Sequence, residues 1–173
     1  WALGGTPAQV KGLSDIAAVD AGGSHFQALT TDGNVYAWGS NWDGQLGTGD
    51  TTDSATPKKV DGLFNIVDIA AGHRHSLAVS FDGTIYAWGS NSNGQLGSRS
   101  SEDSAVPVEV TTVKNAVQVA AGTDCSMALT KDQKLYTWGY GEYGQLGGGS
   151  ATISQNTPKS VTLTSNVVPA QIN

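Results

Sequence analysis

Cysteine is almost absent from this sequence. Cys125 stands alone, so no disulfide can close within the chain and no cysteine-based metal set exists. Charge is also scarce. Only 14% of the 173 residues are charged, and nine Lys and Arg stand against fifteen Asp and Glu, a net charge of -6. The basic face that neutralises nucleic-acid phosphates is therefore missing, and an anionic membrane surface is excluded for the same reason. No apolar run reaches the roughly 18 residues of a membrane-spanning helix. The chain opens on Trp1 with no Met and no signal-peptide pattern, which reads as a mature or excised segment. Helical spacing of apolar residues is missing throughout.

Glycine, by contrast, is plentiful, at 23 residues, which points to many tight turns. Low charge with abundant Ser, Thr, Asn and Gly matches the composition of bacterial secreted or surface domains. An extracellular or cell-surface location is the expectation.

The dominant feature is repetition. Tyr86-Ala87-Trp88-Gly89-Ser90-Asn91-Ser92-Asn93-Gly94-Gln95-Leu96-Gly97 occurs nearly unchanged as Tyr36 to Gly47 and in altered form as Tyr136 to Gly147. A fixed period of 50 residues marks a repeat architecture. Four short strands recur in each unit. The first carries Pro57-Lys58-Lys59-Val60 and its copies at Pro7, Pro107 and Pro158. Proline lacks a ladder donor, so it is expected at a strand start on a sheet edge. The second is Ile16 to Val19, Ile66 to Ile69 and Ala116 to Val119, each running into Ala-Gly. The third is His25 to Thr30 with its copies, ending at the hairpin signals Asp32-Gly33 and Asp82-Gly83. The third copy has Asp132-Gln133, where the same turn would be strained. The fourth, Val35 to Trp38, puts Tyr36 and Trp38 on one face and Val35 and Ala37 on the other. Both faces are apolar, as in a sheet packed between two others.

Each unit thus predicts one small antiparallel sheet that must stack on its copies. The fold class is all-β: a β-propeller of roughly 50-residue four-stranded blades, here about three blades plus partial flanking strands. Residues 1–6 read as the tail of a preceding repeat. Residues 7–56, 57–106 and 107–157 form three repeats, and 158–173 start a fourth. Counted from Pro7, the strands form a lone outer strand, three sets of four and a strand start near Asn166-Val167-Val168.

The motif Tyr86-Ala87-Trp88-Gly89, Asn91 and Gly94-Gln95-Leu96-Gly97, with Ala70-Ala71-Gly72-His73-Arg74-His75-Ser76 upstream, resembles the regulator-of-chromosome-condensation (RCC1-type) repeat family. The resemblance runs from residue 7 to about 168. It implies a β-propeller, usually of seven blades, and members that serve as nucleotide-exchange factors, enzyme inhibitors and surface modules. It also implies a structural hydrogen-bonding role for His75. The third copy departs from the pattern: Cys125 replaces the His, and Gly141-Glu142-Tyr143 replaces Asn91-Ser92-Asn93.

No catalytic, cofactor-binding or metal site is predicted. His73 and His75 lack a recurring third ligand. Asp50, Asp53, Glu102 and Asp103 match no calcium loop and suit turns. Gly44-Gln45-Leu46-Gly47 lacks the Lys of a phosphate loop. The expected function is a non-enzymatic scaffold that presents loops to a protein or glycan. Its candidate contacts break the repeat: Trp42 aligns with Ser92 and Glu142, Tyr140 with Ser40 and Ser90, and Tyr143 with Asp43 and Asn93. Exposed aromatics and Arg are the usual anchors of binding surfaces, so Arg74 and Arg99 join them. The alternative is a structural array that completes its propeller by homo-oligomerisation through open blade ends.

Overall fold

The computed structural model describes residues 8–149, 153–162 and 171–172. The first sheet is a meander of β1 (Ile16–Ala21), β2 (His25–Thr30), β3 (Val35–Gly39) and β4 (Ser54–Lys59), paired antiparallel in that order. The second repeats it with β5 (Ile66–Ala71), β6 (His75–Ser80), β7 (Ile85–Gly89) and β8 (Ser104–Glu109). The third uses β9 (Ala116–Ala121), β10 (Cys125–Thr130), β11 (Leu135–Tyr140) and β12 (Ser154–Ser160). The expected strand starts at Pro7 and at Asn166-Val167-Val168 lie outside the described residues.

The three sets of four counted after a lone outer strand at Pro7 are the sheets that form: the proline strand completes the sheet begun by the repeat before it, and β4 pairs with β3, not with β5. Each sheet therefore draws three strands from one repeat and its outer strand from the next, and no sheet coincides with one 50-residue unit. One detail differs from the sequence-based expectation: the proline does not open its strand. Pro57 is preceded by Ser54, Ala55 and Thr56 within β4. It is accommodated by a shift of register, since Ala37 faces Lys58 while Gly39 faces Ser54. A bulge on an edge strand removes the need for the ladder donor that proline lacks. The same shift recurs between β7 and β8 and between β11 and β12.

The hairpin turns form as expected. Gly33 and Gly83 adopt φ of 80° and 87°, and Gln133 is forced to 62° at the same turn. The cores lie between sheets, not within them. Leu29, Val35 and Ala37 of the first blade pack against Ala78 and Trp88 of the second. Leu77, Val79, Ile85 and Ala87 pack against Val119, Ala128 and Trp138 of the third. Alternation across the pleat supplies both faces, as the apolar pattern requires. The innermost strands β1, β5 and β9 line a shared cavity of about 440 Å³.

Candidate interaction surface

In the first two sheets the loop between the third and fourth strand is built on one buried side chain. Asn41 is fully buried. Its amide nitrogen donates to the Asp50 and Thr52 carbonyls at 2.9 and 3.2 Å, and its Oδ1 accepts from Leu46 N at 2.9 Å. Asn41 N in turn donates to Asp53 Oδ1 at 2.7 Å. Asn91 repeats this with Ser100, Glu102 and Leu96, and Asn91 N donates to Asp103 Oδ1. The carboxylates of Asp53 and Asp103 therefore brace the loop from within. In the third loop Gly141 has no side chain to do this.

A second brace is common to all three loops. Gln45, Gln95 and Gln145 each accept, through Oε1, the backbone N–H two residues earlier. These loops place Trp42 and Tyr143 out in solvent, at 81% and 84% exposure. Tyr143 meets Tyr140 edge to face at 6.0 Å between ring centroids. The Tyr140 hydroxyl donates to Glu142, which pushes its pKa up to about 12. Arg74 reaches Asp43 at 3.6 Å, next to Trp42, and so ties the first two blades at the rim. Arg99 is exposed and donates its backbone N–H to the Asn156 carbonyl of the third blade. Thus Tyr140 and Tyr143 form one cluster, Arg74 pairs with Asp43, the residue after Trp42, and Arg99 sits on the seam between the second and third blades.

The two histidines of the His-x-His pair go different ways. His73 is exposed on the turn before β6, whereas His75 is fully buried between blades. His75 Nε2 lies 2.9 Å from Ser126 Oγ, and His25 Nε2 lies 2.9 Å from Ser76 Oγ. The serines donate their hydroxyl protons to the Gln95 and Gln45 carbonyls at 2.7 and 2.8 Å. Each serine oxygen must therefore accept from the histidine, which fixes the neutral Nε2–H tautomer. Burial agrees: it lowers the pKa of His25 to about 4 and of His75 to about 3. This Ser–His pair is not a nucleophile and base. The serine proton points away from the imidazole, and both groups are sealed in the core.

The same glutamine carbonyls accept the indole N–H of the next blade, Trp88 to Gln45 at 2.9 Å and Trp138 to Gln95 at 2.8 Å. The Ala-Gly step before the third-strand histidine is needed for close approach. A Cβ on Gly72 would fall 2.2 Å from His75 Cε1 and 2.8 Å from the Gly122 carbonyl. Around the inner cavity, Asp20 Oδ2 accepts from Ala71 N at 2.8 Å and Asp68 Oδ2 from Val119 N at 3.0 Å. Desolvation raises the Asp68 pKa. The structural hydrogen-bonding role expected for His75 is what forms; its partner and the carboxylate links were not foreseen, because those partners lie in neighbouring repeats. A signal was present, however: His25 and Ser76, and His75 and Ser126, share one separation of 51 residues.

Four-stranded meanders stacked face to face around a common inner cavity, with cores only between neighbours, define a segment of a β-propeller. The family model for the RCC1-like domain matches residues 3–172, and the chain belongs to that family. A stretch of 51 residues is 47% identical to the ultraviolet-B receptor UVR8 of Arabidopsis thaliana, covering 28% of this chain and 12% of the receptor. The human E3 ubiquitin-protein ligase HERC2 is 47% identical over 47 residues, covering 26% of this chain and 1% of the ligase. Among solved structures, Prp20p from Saccharomyces cerevisiae superposes with a TM-score of 0.79 at 28% identity, over 89% of this chain and 40% of that one. Human WBSCR16 gives 0.76 at 30% identity, over 84% and 37%. The chain thus spans at most 12% of these curated relatives and 40% of these solved chains.

Proposed function

We propose that the chain is a non-catalytic scaffold whose rim loops hold a protein partner. The observation that carries this reading is Trp42 and Tyr143, large aromatics at 81% and 84% exposure, the first on a loop braced by a buried asparagine and the second on a loop held by the exposed glutamine bond from Tyr143 N to Gln145 Oε1. Core packing does not need them there. Held rigid, they lose little entropy on binding, which favours their use as anchors. Family membership adds weight, since Prp20p is described by its binding to Gsp1p and histones. Location at a cell surface or outside the cell fits the sparse charge and small polar residues of the sequence.

The test is quantitative affinity capture from cell extract and culture medium, comparing the native chain with a Trp42→Ser, Tyr140→Ser, Tyr143→Ser variant. The variant is expected to keep its thermal midpoint and lose the enriched proteins. Identical capture by both chains would reject the rim loops as the binding surface. A parallel glycan array, with binding lost in the variant, would move the partner class from protein to sugar.

A further inference from the structure

The connections of an antiparallel meander fall alternately at its two ends. The turns before β2, β6 and β10 and the loops after β3, β7 and β11 therefore share one rim, which carries Trp42, Tyr140 and Tyr143. The hairpins after β2, β6 and β10 and the crossings between blades form the opposite rim. Charge is divided unequally between the two. On the aromatic rim the first loop holds Asp43, Asp50 and Asp53, the second Glu102 and Asp103, and the third Glu142, with Asp124 on the turn before β10. Against these seven carboxylates stand only Arg74 and Arg99, so this rim carries -5 of the net charge of -6. All seven lysines lie on the opposite rim or on the outer-strand ends that run into it, among six carboxylates.

The seams between blades sharpen this contrast. At the first seam Arg74 meets Asp43 at 3.6 Å; the equivalent positions at the second seam are Asp124 and Asn93. A carboxylate thus replaces the arginine. Among the described residues Asp43 is the only carboxylate of this rim paired with a cation. Tyr140 N donates to the Asp124 carbonyl at 2.8 Å, and the Tyr140 hydroxyl donates to Glu142, so two acidic residues flank the tyrosine pair. Trp42 shares its loop with Asp50 and Asp53, both exposed. An aromatic face set among unpaired carboxylates attracts a cation twice, through the negative face of the ring and through the neighbouring charge. Trp42 and Tyr143 stand on the loops of the first and third sheets, with the loop of the second between them. One small cation cannot span them, whereas a peptide of several residues can.

We propose that this rim binds a basic segment of a protein partner. Arg or Lys side chains lie on Trp42 and Tyr143, and Glu102, Asp124 and Glu142 balance their charge. This specifies the partner of the rim loops and rests on their being the binding surface. Arginine suits the site better than lysine, because its planar guanidinium stacks on aromatic rings. Attraction between a negative rim and a positive segment also makes the association sensitive to salt.

Fluorescence anisotropy with two labelled peptides tests this, one alternating Arg and Gly and the other alternating Glu and Gly. The Arg peptide is expected to bind and the Glu peptide to stay free. Affinity for the Arg peptide should fall roughly tenfold as salt rises from about 0.05 to about 0.3 M. A Glu102→Gln, Asp124→Asn, Glu142→Gln variant removes charge while the loop braces, which use other side chains, stay in place. It should weaken binding roughly tenfold or more, as should the Trp42→Ser, Tyr140→Ser, Tyr143→Ser variant. An Asp15→Asn, Asp61→Asn, Glu109→Gln variant makes the same change in net charge on the opposite rim. It should keep the affinity within about twofold. Circular dichroism melts show whether each variant is folded. An Arg peptide that does not bind overturns the basic partner. So does a Glu peptide that binds equally well, or equal loss in the two charge variants. Affinity capture keeps this failure apart from failure of the rim itself. Proteins lost by the aromatic variant but retained by the Glu102, Asp124, Glu142 variant would leave the rim as the binding surface and reject a basic partner.

Discussion

The second blade and its two neighbours are made from nearly the same sequence, yet they sit in different environments. The middle sheet is covered on both faces, and its Leu77, Ile85, Ala87 and Trp88 are all fully buried. The first and third sheets are each covered on one face. The first leaves Val19 and Phe26 exposed, and the third leaves Cys125 and Met127 partly open. In a stacked fold, then, a side chain's environment is set by its neighbour in the array more than by its own repeat. The same tryptophan is core in one blade and surface in another.

That contrast can be pressed hardest with pH. His25 and His75 are neutral on covered faces, with pKa values of about 4 and about 3 against about 6.5 unfolded. Below pH 6.5 the unfolded chain binds protons that the folded chain refuses. Stability should therefore hold above about 6.5 and fall as pH drops toward 4, by up to ~1.4 kcal/mol per pH unit for each histidine. Denaturant titrations across that range measure it. A His25→Gln, His75→Gln variant should show a flatter slope, and an unchanged slope would place the proton uptake elsewhere.

Next in size is the tryptophan pair. At dilution, Trp88→Ala should cost about 3–5 kcal/mol, as for large core truncations. Trp38→Ala should cost roughly 1–2 kcal/mol, because one of its faces is open to solvent. Equal losses by chemical denaturation would erase the distinction between middle and end blades.

The rim loops give a smaller effect. Asn91→Ala should lose about 2–3 kcal/mol, since it strips partners from buried backbone groups. The third loop already lacks this brace. The amide of Leu146 should accordingly exchange faster than those of Leu46 and Leu96, which are bonded to Asn41 and Asn91. Comparable protection of all three would show that the asparagine is not what holds the loop.

The smallest effect falls on the turns. Gln133 sits at φ of 62° where Gly33 and Gly83 sit at 80° and 87°. Gln133→Gly should stabilise the chain by about 1 kcal/mol, read as a raised thermal midpoint. The reverse change, Gly83→Gln, should cost more, because a Cβ there would lie 2.6 Å from Asn115 Cα.

Much of this was readable from the residues. Strands, hairpins and two-faced sheets follow from alternation and Asp-Gly turns repeated at one period. The partnership of the outer strand was legible only from the count that leaves a lone strand at Pro7. Along the chain Lys59 is closer to Ile66 than Ser54 is to Gly39, so proximity alone favours the wrong pairing. Pairing is decided instead by the crossing from the outer edge of one blade to the inner strand of the next. The aromatic departures Trp42 and Tyr143 were found by asking which positions break the repeat, and both are exposed. The imidazole links were not found that way, because they hold the repeats together and so look like pattern. Their trace is that the histidine fails at Cys125 and the serine at Phe26, one at each end.

The offset between repeat and sheet has a consequence for how such chains change length. Because β4 closes a sheet begun one repeat earlier, the 50-residue unit has no privileged starting point. A tandem duplication of one unit adds four strands wherever its breakpoints fall; how they divide between neighbouring sheets depends on the breakpoints, but every sheet still has four. Gene copying can lengthen or shorten this array by whole blades with no intermediate that carries an unpaired strand.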